Sequence, residues 1–211
     1  YRYSTPVAQS QHLVHMTPRA VAHQTTLRHN LIVEPAPAMR FDGVDGFGNP
    51  FIILDVEVPH KELVLHARSS IETHAPAAAD FAATTSWDRL DAKMMRPDAG
   101  LDLDVIQYRC TTKFTAASLA IADYTRGSFP QGRPVLEGVM DMTRRIFADF
   151  RFDPGATDIS TPVEKVFEQR RGVCQDFAHL ALAGLRALRV PSRYVSGYIL
   201  TRPAPGQIKL A

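Results

Sequence analysis

The hydrophobic period changes once along this chain, from two to helical, and that change limits the folds open to it. In Lys61–His74, Leu63, Leu65, Ala67, Ser69, Ile71 and Thr73 alternate with Val64, His66, Arg68, Ser70, Glu72 and His74. Alternation at period two marks a half-buried strand. Ile52, Leu54, Val56 and Val58 repeat it, and Asp45-Gly46-Phe47-Gly48-Asn49-Pro50 supplies a turn between strands. Ser10–Met16 and Ala20–Val33 carry Thr, Val, Leu and Ile with proline at their borders. The first 75 residues therefore read as an antiparallel sheet or sandwich.

Beyond Pro134 the period is helical. Val135, Val139, Met142, Ile146 and Phe150 fall at i, i+4, i+7, i+11 and i+15, one face of a helix. Thr161-Pro162-Val163-Glu164 announces a second helix, with Thr161 as cap, Pro162 at the first helical position and Glu164 completing a capping box. Its end is expected near Arg171-Gly172, with cations in the last turn. A third helix starts around Cys174 and presents Phe177, Leu180, Ala181, Gly184, Leu185 and Leu188 on one side. Ser192–Thr201 reads as a strand, Pro203-Ala204-Pro205-Gly206 as a turn and Gln207–Ala211 as the start of a returning strand. Between sheet and helices, the Ala-rich His74–Ala83, the lone Trp87 and Pro97-Asp98-Ala99-Gly100 suggest a connector. The expected division is a β-rich domain plus connector over 1–112 and a helical domain over 113–211. The fold class is α+β.

Composition removes several function classes. Hydrophobic residues make up 45% and charged residues 22% of the 211, which suits a packed globular chain. No window approaches the roughly 18 consecutive apolar residues of a membrane span, so no membrane role is expected. The formal net charge is +2; residues 1–112 hold 10 Lys+Arg against 13 Asp+Glu, and residues 113–211 hold 14 against 9. The basic residues of the second half are spread out, which argues against binding nucleic acid by phosphate neutralisation. Cys110 and Cys174 are too few for a disulfide framework and are not clustered for zinc. No cofactor or metal is implied, and the cysteine usage fits a reducing, cytoplasmic compartment. The chain opens on Tyr1 inside a strand, so the natural start is expected upstream.

The sharpest local feature is Arg171-Gly172-Val173-Cys174-Gln175-Asp176-Phe177-Ala178-His179, a Gly-then-Cys turn entering a helix. A thiol at a helix N-terminus meets unpaired N–H groups and the positive dipole end, which favour thiolate and can receive an oxyanion. Nucleophilic thiol catalysis needs that arrangement. From the residues alone, a cysteine there serves either as nucleophile or as a small core side chain. Cys110 lacks the context and is expected in the core. His179 follows Cys174 by five residues, so the two point about 140° apart on a helix, and His179 reads as structural. The other histidines, His12, His15, His23, His29, His60, His66 and His74, lie in the β region. His12 and His15 face opposite sides of a strand, which argues against a metal pair. Asp176 in the first turn complements the dipole.

The run Gly172-Val173-Cys174-Gln175-Asp176-Phe177-Ala178-His179-Leu180 closely resembles the bacterial transglutaminase-like family, cysteine proteases of the transglutaminase core superfamily. Leu185-Arg186-Ala187-Leu188 and Pro191-Ser192-Arg193-Tyr194-Val195-Ser196-Gly197-Tyr198 carry the same resemblance. Tyr1-Arg2-Tyr3-Ser4-Thr5-Pro6-Val7, Ser10-Gln11-His12-Leu13, Asp45-Gly46-Phe47-Gly48-Asn49 and His60 look like that family's N-terminal β domain.

The resemblance implies a papain-like core whose helical first half ends in the Cys helix and whose second half is a small antiparallel sheet. Cys174 is then the nucleophile, with Gly172, Gln175 and Asp176 supporting the oxyanion site and first turn, and Arg193 and Tyr194 lining the cleft. The family's catalytic His and Asp stand on strands after the one spelled here Arg193–Leu200. The chain is therefore expected to be truncated before them, a fragment inactive by itself. The implied function is thiol-dependent acyl transfer on a peptide or protein amide through a thioester, hydrolysis or transamidation, with hydrolysis favoured. The alternative is a non-catalytic peptide-binding or scaffold protein on the same fold, or a β partner module that the helical half supports. A sheet cut at residue 211 also predicts self-association through its exposed edge.

Overall fold

The structure, a computed structural model, describes residues 1–94 and 103–197. The chain forms two compact units, Tyr1–Ala78 and Ala79–Ala211, the first of antiparallel strands and the second mainly helical. The α+β class expected from the change of period is what the chain adopts.

In the first unit, β2 (Ser10–Val14) and β4 (Met39–Val44) flank β5 (Pro50–Val56), while β3 (Gln24–Glu34) pairs along β7 (Val64–Thr73) and β1 (Arg2–Val7) pairs with β6 (His60–Glu62). The register aligns His12, Leu54 and Arg40, and places Val14 beside Ile52. Alternation along β5 puts Ile52, Leu54 and Val56 on the inner face, all essentially inaccessible. Burying each is worth roughly 1.5–3 kcal/mol, and Ile52 and Leu54 share a core with Val14 and Leu31, flanked by Val33, Leu65 and Ala67. Val58 departs from the expected pattern: it lies beyond the strand end and is 50% exposed. The strand expected over 61–74 is broken at Leu63, which is fully buried and donates its N–H to the Tyr1 carbonyl at 2.9 Å. The chain there passes from one sheet to another. The β4–β5 turn forms as read: Asp45 accepts from the N–H groups of Phe47 (2.9 Å) and Asn49 (2.8 Å), and Gly48 takes φ 76°.

In the second unit, α1 (Trp87–Met94) is tied to the loop at 129–133. The Trp87 N–H reaches the Arg133 carbonyl at 3.1 Å, its indole N–H reaches that of Pro130 at 2.9 Å, and its ring meets Phe129 edge-on. A short helix α2 (Leu103–Ile106) runs into a 3-10 turn, Gln107–Arg109. Cys110 caps that turn through its own N–H and is exposed, so the core position expected for it is corrected. Helices α3 (Leu119–Arg126), α4 (Val135–Asp149), α5 (Val163–Gln169) and α6 (Cys174–Ala187) enclose Ile121, Met142, Ile146, Phe150, Val163, Leu180 and Leu185. The helix read from the Val135–Phe150 periodicity is α4, and its predicted face is the buried one. Gly184 lets α6 lie close to α3, because a Cβ there would overlap the Thr125 hydroxyl.

The second helix differs in detail from its capping signature. Pro162 is the cap residue, and the Thr161 hydroxyl instead bonds to Asp158, whose carboxylate organises its own turn with Ser160. A local side-chain turn has outcompeted the helix for that hydroxyl. The helix also stops earlier, at Gln169, with Arg170 left-handed, and Arg171–Gly172 then becomes a strand. Residues 192–197 are not strand, although Ser192 is anchored by its N–H to the Tyr108 carbonyl at 3.1 Å. The rest of the expected strand, the turn at 203–206, the stretch 207–211 and the self-association edge lie outside the described residues.

Candidate functional site

The segment Arg170–Cys174 is shaped by three successive local decisions. Arg170 closes α5 in the left-handed region, φ 54° and ψ 32°, its N–H still reaching the Val166 carbonyl at 3.0 Å. β9 (Arg171–Gly172) then pairs in parallel with β8 (Arg151–Phe152). The rungs on either side of that pair run from the Arg151 N–H to the Arg170 carbonyl (2.8 Å) and from the Asp153 N–H to the Gly172 carbonyl (2.9 Å). Val173 is extended, φ −110° and ψ 175°, and α6 begins at Cys174.

The elbow is pinned by Asp176. Its carboxylate is buried, the residue 4% exposed, and its Oδ2 accepts from the Val173 N–H at 2.8 Å and from the Thr157 hydroxyl at 2.6 Å. Gly172 has to be glycine for a spatial reason: a Cβ there would stand 2.6 Å from the same Oδ2. A carboxylate in the first turn also complements the helix dipole, but the geometry assigns Asp176 a more specific task than that. It holds the residue before the thiol in an extended conformation.

Cys174, the first residue of α6, is a free and exposed thiol. The N–H groups of Cys174 and Gln175 open the helix and have no acceptor one turn back. They are donors available to an oxygen bound beside the sulfur. The expected support residues Gly172, Gln175 and Asp176 thus stand together with Cys174 in one elbow.

His179 lies outside this cluster. Its ring stacks on Phe114 (centroids 5.4 Å apart, 15° between planes) and meets Tyr194 at 5.5 Å. Burial holds its pKa below the ordinary histidine value, helped by the charge of Arg186 and opposed by Asp176. Tyr194 reaches α6 through His179, and the Arg193 guanidinium lies over the Tyr108 ring at 5.7 Å. Tyr194 is thus placed beside α6 and Arg193 beside the 3-10 turn, rather than in the elbow. Sequence reasoning missed Thr157 and Arg170. No local signal marks Thr157, and arginine has no preference for positive φ that could have marked Arg170. Among the described residues no three His, Cys, Asp or Glu side chains gather as metal ligands, and no helix is long and apolar enough to cross a membrane.

The antiparallel β unit and the helical unit in which Gly-Val-Cys enters a helix each match a transglutaminase-like family model. Residues 1–72 match the bacterial transglutaminase-like N-terminal region, and residues 119–208 match the transglutaminase-like superfamily. An uncharacterized protein of Mycobacterium tuberculosis is 36% identical over 216 residues, covering 100% of this chain and 66% of the relative, and one from Mycobacterium bovis matches equally. A Mycobacterium leprae relative is 30% identical over 204 residues, 94% of this chain and 68% of its own. A crystal structure from Cytophaga hutchinsonii, described as "a Putative Cysteine Protease", superposes with a TM-score of 0.65 at 20% identity, covering 90% of this chain and 61% of that one. The chain belongs to the bacterial transglutaminase-like family and spans about two thirds of the length of the mycobacterial relatives.

Proposed function

We propose that Cys174 is the nucleophile of a thiol-dependent acyl transfer on a peptide or isopeptide amide. The observation that carries this reading is an exposed thiol at the first position of α6, in an elbow fixed by the buried Asp176. The thiolate adds to the amide carbonyl carbon, and the oxyanion is received by the N–H groups of Cys174 and Gln175. The C–N bond then breaks, the amine leaves with a proton from a general acid, and a thioester remains. Water attacks that thioester, giving the carboxylic acid and free thiol; an acceptor amine would give transamidation instead. Water needs no dedicated site, so hydrolysis is the favoured outcome.

The proton carrier belongs to the same proposal and is not His179, because helical rotation turns His179 about 140° from Cys174 and its ring is engaged by Phe114 and Tyr194. Gly172 and Asp176 shape the elbow, and Arg193 and Tyr194 are assigned to the cleft wall. The test is site-resolved carboxamidomethylation of the intact protein at neutral pH. Both cysteines are exposed, so Cys110 controls for access. The proposal expects Cys174 to react at least about tenfold faster, as activated thiols do. Equal or slower reaction would overturn it and favour a scaffold that binds peptides without cleaving them.

A further inference from the structure

Arg170 holds a left-handed backbone that only glycine adopts without cost, so the surrounding structure has to maintain it. Its guanidinium carbon lies 4.1 Å from the centre of the Phe167 ring, 4.7 Å from Phe150 and 5.2 Å from Tyr124. The three rings also touch one another, Tyr124 meeting Phe167 and Phe150 edge-on and Phe150 tilting against Phe167. They come from three places: Tyr124 from α3, Phe150 from the end of α4 and Phe167 from α5. Phe150 in turn packs edge-on against Phe177, in the first turns of α6. Arg170 therefore meets the ends of three helices at the residue where the chain leaves α5 for the thiol, and the Arg145 guanidinium lies over the same Tyr124 ring at 4.2 Å. From the same residue, the carbonyl of Arg170 accepts the bond that starts the β8–β9 ribbon.

We propose that Arg170 is a positioning residue for Cys174: its guanidinium, boxed by Tyr124, Phe150 and Phe167, holds the left-handed turn that aims β9 and the thiol. The contribution lies in the caged cation and not in the backbone angle alone. Cation–π contacts strengthen when the cation is partly desolvated, and a planar guanidinium can meet several ring faces at once. The proposal rests on the reading of Cys174 as nucleophile only in its functional consequence; the geometric part stands independently.

The two explanations predict opposite results for Arg170→Gly. Glycine accepts φ 54° freely but empties the box, so a purely backbone role predicts a protein at least as ordered as the parent. The cage predicts that Arg170→Gly loosens the elbow while global unfolding stays cooperative. Two quantities are read in the intact protein: the ratio of Cys174 to Cys110 carboxamidomethylation rates, and hydrogen exchange at the Arg151 and Val173 amides. The expected result for Arg170→Gly is a ratio lowered at least about threefold and exchange at both amides about tenfold faster, as for a locally opened segment. Arg170→Lys, which returns a cation to the box, recovers at least half of each change. Parental exchange and labelling in Arg170→Gly overturn the proposal. Should that variant fail to fold, Phe167→Leu removes the nearest ring without touching the turn. It is expected to move both readouts in the same direction, and unchanged values there overturn the proposal equally. If Cys174 is no faster than Cys110 in the parent, the nucleophile reading fails, and amide exchange alone decides whether the cage holds the ribbon.

Discussion

Thr157 donates a hydrogen bond of 2.6 Å to the buried carboxylate of Asp176, nineteen residues further along the chain. The loop after β8 is thereby fastened to the first turn of the helix that begins with Cys174. The same carboxylate oxygen holds the Val173 N–H, so one buried anion sets the position of the loop, the cap residue and the turn.

Removing that anion leaves two donors without a partner. Asp176→Ala is expected to destabilise the protein by about 2–4 kcal/mol, and Thr157→Val by about 1 kcal/mol. Urea unfolding of both and of the double variant checks this. In the double variant the Thr157 change costs much less than it does alone, because its partner has already gone.

Gly172→Ala tests the space rather than the charge. The new Cβ falls 2.6 Å from Asp176 Oδ2 and 3.0 Å from its Cβ, and neither can retreat from a buried site. A loss of roughly 1–3 kcal/mol follows, together with slower Cys174 labelling. Parental stability on thermal unfolding would show that the elbow yields more readily than its packing implies.

Cys174→Ala separates function from stability. Because the thiol is exposed, the melting temperature is expected to stay within about 2 °C, in line with other substitutions at exposed positions. Any hydrolysis of casein, or amine incorporation into it, by the protein should disappear. Activity that survives the substitution would remove Cys174 from the chemistry.

His179 adds a pH dependence. Burial, the largest cause, together with Arg186 holds its pKa below the ordinary 6.5, against the opposing pull of Asp176. The unfolded chain therefore takes up this proton first, at higher pH than the folded protein. The contribution of the neutral ring is fully present above pH 6.5 and is lost as pH falls through the folded value. Melting temperatures of the parent and of His179→Gln, compared from pH 8 down to the acid limit of folding, should converge as the pH falls. A constant difference would show that the ring titrates as it does in the unfolded chain.

Local order was legible in the residues themselves. The face of α4 followed from the spacing of Val135, Val139, Met142, Ile146 and Phe150, and the inner face of β5 from Ile52, Leu54 and Val56. The start of α6 followed from Gly172-Val173-Cys174, because periodicity and turn chemistry act between residues within a few positions of one another. What the residues could not disclose depends on partners brought from afar. Cys110 looked like core and is exposed. Thr161 looked like a helix cap and serves the Asp158 turn. Leu63 looked like mid-strand and is where the chain changes sheets. Asp176 looked like a dipole partner, and the packing of a distant loop made it the pin of the elbow through Thr157. Arg170 carries no mark in the sequence that sets it apart. Of the rings around its guanidinium only Phe167 is local; those of Tyr124 and Phe150 arrive only once α3 and α4 have met α5, and no local preference can specify that.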